Sequence, residues 1–168
     1  MTGGMVHVGV TVADLERAVH FYTEGLGLEI AVRQVSAAAY LSVTGHPGLE
    51  IATAFVEAPG DGVRIELQEY RRVGDHGSRE PGTAPVGSSH ICFRVDDVDA
   101  WLARAEAAGG TRVTDPVLID SGINDGGAAV YLRDPDGYTI ELFQPPRSFG
   151  HPPSLPVQST TARHRPGP

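Results

Sequence analysis

The chain has a single cysteine, no long apolar run and few basic residues, and each shortage excludes a class of protein. Cys92 alone cannot form an internal disulfide, which fits a reducing cytoplasm. No apolar run approaches the roughly 20 residues of a membrane-spanning helix, and the opening MTGGMVHV lacks the features of a secretory signal. With 13 Lys and Arg against 21 Asp and Glu, the net charge of -8 disfavours nucleic-acid binding. We therefore expect a cytoplasmic protein with no nucleic-acid partner and no membrane partner.

What the chain does contain is an internal repeat. The segment MVHVGVTVADLERAVHFYTEGLGLEI aligns without insertion on SSHICFRVDDVDAWLARAEAAGGTRV, so that His7 falls on His90 at an offset of 83 residues. The two copies also end alike, in VRIEL and YTIEL, which places Glu66 on Glu141. A unit of this length, present only twice, indicates a duplicated module and not a solenoid.

Each copy is predicted to form a strand, a helix and then further strands. Apolar residues alternate from Val6 to Val12, as they do in a strand with two distinct faces. Asp14 and Asp97 are predicted helix N-caps, because each precedes an apolar stripe at helical spacing. The stretch 37–43 is ambiguous, because it could form a short helix. The sequence DPDG, which begins at Asp134, predicts a turn. The remaining predicted strands are 28–34, 49–56, 111–119, 128–132 and 138–143.

These patterns divide the chain into four parts. Residues 1–70 are predicted to form the first βαβββ module and 88–144 the second, joined by a polar linker at 71–87 that is rich in Gly and Pro. Residues 145–168 form a Pro-rich tail without apolar periodicity, which we expect to be disordered. The expected fold class is therefore α+β, with two tandem modules.

Four residues at matching positions are the candidate metal ligands. His7 and His90 each open a strand, while Glu66 and Glu141 each lie within a closing strand. Two neutral imidazoles and two carboxylates balance the charge of a divalent ion and leave about two coordination positions for exchangeable oxygens. This donor set accepts Ni, Co, Zn, Mn or Fe, so the sequence predicts one divalent ion without naming it.

The paired openings HVxVxVxDL and HIxFxVDDV, with the closing DPDGYxIEL, resemble the vicinal oxygen chelate superfamily over residues 5–144. That resemblance implies that the two modules form a cupped, barrel-like mixed sheet around a metal site. It also implies a small-molecule substrate with vicinal oxygens. Because all four ligand positions are filled, the chain is most similar to the glyoxalase I and methylmalonyl-CoA epimerase branch. This similarity implies a metal-dependent lyase or isomerase. Such an enzyme abstracts a proton next to a chelated oxygen and forms an enediolate or enolate.

The same resemblance leaves two other functions open. An iron-dependent extradiol-type ring-cleaving dioxygenase would not need Glu66, because that branch uses two His and one Glu. A metal-free protein that sequesters an antibiotic, as bleomycin-binding members do, would need none of the four ligands. The sequence does not decide between these classes.

The resemblance also implies which residue accepts the proton. Glu141 is preferred, because similar enzymes use its position, and Glu66 is the second candidate. Glu50 is a third, since the epimerase has a non-ligand Glu at a comparable distance before its closing ligand. The 24 residues from Glu66 to His90 allow both modules to close on one site within a chain, although exchange between two chains would use the same residues. In either case we expect a homodimer.

Overall fold

The computed structural model describes residues 3–46, 48–60, 63–71 and 82–146. Both repeats follow the order expected of a βαβββ module, with short helical turns inserted. The first contains β1 (His7–Thr11), α1 (Leu15–His20), a π-helical turn (Phe21–Gly25), β2 (Glu29–Ser36), a 3₁₀ turn (Ala39–Thr44), β3 (Glu50–Glu57) and β4 (Arg64–Arg71). The second contains β5 (His90–Arg94), α2 (Val98–Ala107), β6 (Thr111–Arg112), β7 (Val117–Leu118), a 3₁₀ turn (Gly122–Asn124), β8 (Ala128–Arg133) and β9 (Thr139–Gln144).

Each module forms its own mixed sheet. The first sheet has the order β1-β4-β3-β2, and the second has the order β5-β9-β8-β6, with β7 also pairing with β8. In both sheets the opening strand runs parallel to the closing strand, whereas the other pairs are antiparallel. The α+β class and the two-module architecture are therefore confirmed. Within the described residues, no hydrogen-bonded ladder joins the two sheets.

Both helices begin at the predicted caps. The Asp14 carboxylate accepts a hydrogen bond from the backbone N–H of Arg17 at 2.9 Å, and Asp97 accepts one from Ala100 at 3.0 Å. These bonds satisfy N–H groups that the first helical turn would otherwise leave unpaired. The first helix is regular only as far as His20. It continues as the π-helical turn, and Gly27 then adopts a positive φ of 66°.

One middle segment differs from the sequence prediction, and an ambiguous one is resolved. The stretch predicted as one strand at 111–119 instead forms β6 and β7, two strands of two residues each. Pro116 lies between them, and a proline has no N–H to donate to a continuous ladder. The ambiguous stretch at 37–43 lies largely in the 3₁₀ turn Ala39–Thr44.

The two modules share one hydrophobic core. Its largest fully buried side chains come from both halves: Tyr22, Phe21, Leu26, Leu67 and Val56 from the first, and Leu132, Ile140 and Leu142 from the second. The π-helical turn packs against α2, and Phe21 contacts the segment that follows α2 so closely that a Cβ added at Gly110 would lie 2.8 Å from its ring. The helical sides of the modules therefore face each other.

Polar contacts also join the modules at the turn between β8 and β9. The Tyr22 hydroxyl donates to Asp134 at 3.1 Å, and Arg17 forms an ion pair with Asp136. Asp136 also accepts a hydrogen bond from the backbone of Ala13 at 3.2 Å. The DPDG turn thus fixes the second module against the helix of the first.

Most of the predicted linker and nearly all of the predicted tail lie outside the described residues. The predicted boundaries of the modules, linker and tail at residues 70, 87 and 144 therefore stay predictions. Within the described ranges, the helices are too short and too polar to cross a bilayer.

Candidate metal centre

The first half of the candidate site is a histidine–glutamate pair on neighbouring parallel strands. His7 opens β1, and Glu66 lies on β4 opposite Gly9. Residues two apart on a strand share a face, so His7, Gly9 and Glu66 lie on the same side of the sheet. The Nε2 atom of His7 is 3.0 Å from Oε2 of Glu66, and the two side chains are 38% and 15% exposed.

The second half repeats this geometry in the other sheet. His90 opens β5, and Glu141 lies on β9 opposite Cys92. The Nε2 atom of His90 is 3.1 Å from Oε2 of Glu141, and these side chains are 43% and 21% exposed. The structure therefore places the four predicted ligands in two equivalent pairs, and both pairs remain accessible from solvent.

An aromatic ring packs against each histidine. Phe55 lies opposite Glu66 in the ladder, and its ring meets His7 edge-on with centroids 5.7 Å apart. Tyr131 lies opposite Glu141 and meets His90 in the same way at 5.3 Å. Phe55 was not among the site residues predicted from the sequence. The sequence does contain a signal for it, because an aromatic residue precedes each glutamate: Phe55 lies eleven positions before Glu66, and Tyr131 lies ten positions before Glu141.

The two pairs do not come together within one chain. They lie on separate sheets, each on the face opposite the residues that enter the shared core, such as Leu67 and Leu142. Across the described residues, no group of three or more His, Cys, Asp or Glu side chains is arranged to hold an ion. One chain therefore presents two half-sites, with the common core between their sheets.

Each pair nevertheless fits half of a divalent-metal site. Two ligand atoms at right angles, each about 2.1 Å from one ion, lie about 3.0 Å apart. The His–Glu separations of 3.0 and 3.1 Å match that value. Imidazole and carboxylate are also the ligands that suit divalent first-row metals.

Two polar groups flank Glu141 on its neighbouring strands. Although Cys92 is exposed, partial burial of its thiol raises the thiol pKa to about 12, and the negative charge of Glu141 adds to the effect. The pKa of the Tyr131 hydroxyl is also raised, first by burial and then by the charge of Glu141. The corresponding neighbours of Glu66 are Gly9 and Phe55, which have no such group.

Glu50 lies away from both pairs. It begins β3, opposite Arg71, and forms an ion pair with that residue at 3.6 Å. Phe55, the neighbour of Glu66, is five residues farther along β3 and therefore on the opposite face. The structure does not bring Glu50 to the predicted metal ligands.

Comparison with known proteins identifies the family of the chain. The family model for the Glyoxalase/Bleomycin resistance protein/Dioxygenase superfamily matches residues 4–142. A 2-epi-5-epi-valiolone epimerase from Actinomyces is 35% identical over 144 residues, which cover 83% of this chain and 78% of the relative. A probable lactoylglutathione lyase from Vibrio parahaemolyticus is 32% identical over 144 residues, covering 84% of this chain and 91% of the relative.

A solved structure supports the same assignment. The crystal structure of a glyoxalase family protein from Bacillus cereus superposes with a TM-score of 0.68 at 25% identity, covering 84% of this chain and 93% of that one. The similarity thus spans both modules, including all four paired residues. The chain belongs to the Glyoxalase/Bleomycin resistance protein/Dioxygenase superfamily, as the repeated motifs indicated.

Proposed function

We propose that this protein is a divalent-metal-dependent lyase or isomerase, similar to a glyoxalase or an epimerase, acting on a small molecule with vicinal oxygens. One observation carries the proposal: the two modules hold His–Glu pairs of nearly identical geometry, at 3.0 and 3.1 Å. A buried or half-buried carboxylate beside a histidine in only one module could be structural. Its repetition at equivalent positions favours a common ligand.

The ion would be held by His7, Glu66, His90 and Glu141. It would supply Lewis acidity, which lowers the cost of negative charge on the oxygens of the substrate. The imidazoles serve as neutral ligands whose orientation is fixed by their strands and by the rings of Phe55 and Tyr131.

The carboxylates supply the acid–base chemistry. One glutamate accepts the proton from the carbon next to the carbonyl, and the electron pair of the broken C–H bond moves toward the carbonyl oxygen. A glutamate then returns a proton to carbon, on the same atom or on its neighbour. Glu66 and Glu141 each lie beside a histidine, which supports their candidacy as the base, whereas Glu50 lies on the other face of its sheet.

A second copy of the chain would complete the site. The strands that carry His7 and His90 are both edge strands, with a hydrogen-bonded neighbour on one side only within the described residues. An edge strand with free backbone groups is a natural place for another chain to pair. In a two-fold dimer, the His7–Glu66 pair of each copy would face the His90–Glu141 pair of the other, which yields two equivalent sites.

The presence of Glu66 in the first pair favours this function over ring cleavage. Glu66 contacts His7 just as Glu141 contacts His90, which supports a ligand role for both carboxylates. A site with two histidines and one carboxylate would not require Glu66 as a metal ligand. A metal-free binding protein would need neither pair.

The experiment begins with the metal. Tag-free protein is reconstituted with Co²⁺ or Ni²⁺, and bound metal is measured by mass spectrometry for the wild type and for the double variant His7→Ala/His90→Ala. About one ion per chain in the wild type, lost in the variant, supports the site. An empty wild type after reconstitution would refute it.

The reaction is tested separately, by proton exchange. The metal-loaded protein is incubated with a simple 2-hydroxy ketone in D₂O, and deuterium uptake at the carbon next to the carbonyl is followed by NMR. Uptake by the wild type, but not by Glu66→Gln/Glu141→Gln, supports proton abstraction. Oxygen consumption with a catechol in the presence of ferrous iron would instead support the dioxygenase.

A further inference from the structure

A row of uncharged polar side chains crosses the first sheet directly beside its half-site. In the strand ladders Gln68 lies opposite both Thr11 and Thr53, and Thr53 also lies opposite Gln34. These four positions are two residues beyond the row that holds Glu66. They therefore lie on the same face of the sheet, about 6–7 Å farther along the strands. Together they form the polar row.

The two central side chains of the polar row present open polar groups on the site face. A Cβ added at Gly9 would lie 3.6 Å from Oε1 of Gln68, which places the Gln68 amide on the face that carries His7. Thr53 is only 4% exposed, yet its hydroxyl has no hydrogen-bond partner among the described residues. In that part of the chain no buried side-chain polar atom lacks a partner, so the hydroxyl is the part of Thr53 that reaches the surface. The face therefore offers an amide and a hydroxyl to a ligand that lies against it.

Apolar side chains close the far end of this face. Leu41, from the first 3₁₀ turn, packs with Leu49 and Ile51, and Tyr70 lies against this cluster. Ile51 and Tyr70 lie opposite each other in the ladder, two residues beyond the polar row and on the same face. The polar row is therefore bounded by a candidate metal-binding pair at one end and by an apolar wall at the other.

The polar row carries no charge of its own. On the same face Arg64 lies opposite His7, but its guanidinium is held by Glu57 in an ion pair of 2.7 Å. A phosphate or carboxylate group is usually bound by a cation that is available to it. Amide and hydroxyl groups both donate and accept hydrogen bonds, as the hydroxyl groups of a ligand also do. The row therefore suits hydroxyl groups better than anionic groups.

The second sheet has no counterpart of the polar row. The equivalent positions beside Glu141 hold Arg94, Phe143 and Ala129, of which two are apolar. Arg94 borders a cavity whose lining includes three carboxylates that oppose its charge, those of Asp96, Asp97 and Asp99. Recognition of hydroxyl groups is therefore a property of the first module, and it would give a substrate one direction in the site.

We propose that the polar row binds hydroxyl groups of the substrate, and that the substrate is an uncharged, polyhydroxylated carbonyl compound. The inference rests on the proposed function and names the substrate class of the same site. The reacting carbonyl lies at the histidine–glutamate pairs, and hydroxyl groups several bonds away reach Gln68 and Thr53. A site of this kind discriminates against an analogue without those hydroxyls, because binding the analogue leaves the polar groups of the protein unpaired.

Two five-carbon ketones provide the test. D-Ribulose carries three hydroxyl groups beyond its carbonyl, and 1-hydroxy-2-pentanone lacks all three. Saturation-transfer NMR on the full-length, Zn²⁺-loaded protein gives the affinity for each ketone, and proton exchange in D₂O gives kcat/KM. The variants Thr53→Val and Gln68→Met each remove one hydrogen-bonding group with little change in side-chain volume. Thr23→Val is the control, because the Thr23 hydroxyl donates to the backbone oxygen of Val19 in the helical segment.

We expect the wild type to bind and exchange D-ribulose about tenfold better than 1-hydroxy-2-pentanone. Thr53→Val and Gln68→Met should each lose about three- to tenfold with D-ribulose, as expected for one hydrogen bond, and should keep the wild-type values for 1-hydroxy-2-pentanone. Thr53→Ser keeps the hydroxyl and should retain the D-ribulose affinity, and Thr23→Val should match the wild type. D-Ribulose 5-phosphate should bind no more tightly than D-ribulose, because the polar row offers no cation.

The outcomes separate the substrate class from the proposed function. If the wild type binds no Zn²⁺ and exchanges neither ketone, the proposed function fails and this inference fails with it. If it binds Zn²⁺ and handles both ketones equally well, only the inference about hydroxyl groups is overturned. Equal losses with both ketones in Thr53→Val and Gln68→Met would indicate a structural effect and would also overturn it. Tighter binding of D-ribulose 5-phosphate would refute the uncharged class while leaving the metal site intact.

Discussion

The hydroxyl of Tyr22 in the first module donates a hydrogen bond of 3.1 Å to the carboxylate of Asp134 in the second, and both residues are buried. The other oxygen of Asp134 accepts from the backbone N–H groups of Asp136 and Tyr138 at 2.9 and 2.8 Å. This one side chain therefore shapes the turn that opens β9 and also ties that turn to the first module. Loss of the Asp134 carboxylate should therefore destabilise both modules.

Tyr22→Phe should destabilise the protein by about 1–3 kcal/mol, because it leaves a buried carboxylate oxygen without its donor. Urea unfolding followed by circular dichroism measures the change. Tyr138→Phe is the matched control, since the Tyr138 hydroxyl meets Ser89 at an exposed site, and its free energy of unfolding should change by less than about 0.5 kcal/mol. Equal effects for the two variants would contradict the role assigned to the buried bond.

Alkaline pH should destabilise the protein through the same residue. Burial, and then the charge and hydrogen bond of Asp134, raise the pKa of Tyr22 well above its usual value of 10.0. Above pH 10 the unfolded phenol loses its proton while the folded one keeps it, so stability is present below that pH and is lost as the pH rises. The expected slope approaches about 1.4 kcal/mol per pH unit. In unfolding experiments between pH 9 and 11, Tyr22→Phe should show a shallower fall than the wild type.

Gly110→Ala should destabilise the contact between the modules. The added Cβ would lie 2.8 Å from Phe21 and 3.0 Å from the backbone oxygen of Ala105, so the buried ring or the helix end must shift. Overpacking of this kind costs about 1–3 kcal/mol. Thermal unfolding provides the measurement, with Gly4→Ala as the control because nothing lies within 4 Å of its added Cβ. A wild-type melting temperature for Gly110→Ala would show that the contact is looser than the structure indicates.

Mixing two inactive variants tests whether the metal site is shared between chains. His7→Ala and His90→Ala each remove one ligand, and either variant alone should bind metal poorly. In a mixed dimer with shared sites, one site loses both histidines while the other keeps all four ligands. Random mixing should then restore about one quarter of the wild-type sites, because half of the dimers are mixed and each has one intact site. If every site lies within one chain, mixing will restore no sites.

The sequence predicted the elements that carry the site with good accuracy. Strand alternation placed His7 and His90 on defined faces, and the capping aspartates located the start of both helices. These features depend on neighbours within a few residues, so a local pattern captures them. Predictions were less accurate where a proline interrupted a ladder, as at Pro116 between β6 and β7.

The arrangement of the modules could not be predicted from such patterns. Alternation shows that His7 and Glu66 share a face, but it does not say whether that face meets the other module or solvent. The answer depends on side-chain packing between distant segments, such as Phe21 against the chain at Gly110. The same is true of the ring that packs on each histidine, since its place depends on the register of β3 and β8.

The shared core has a consequence for how this protein folds. Tyr22 and Phe21 from one half are enclosed by residues of the other, so neither repeat has a complete interior of its own. The two halves should therefore unfold in a single cooperative transition and not as independent units. A gene cut between the repeats would yield fragments that are unstable separately but can reassemble when expressed together. Sequence duplication has here produced two copies of a motif within one thermodynamic unit.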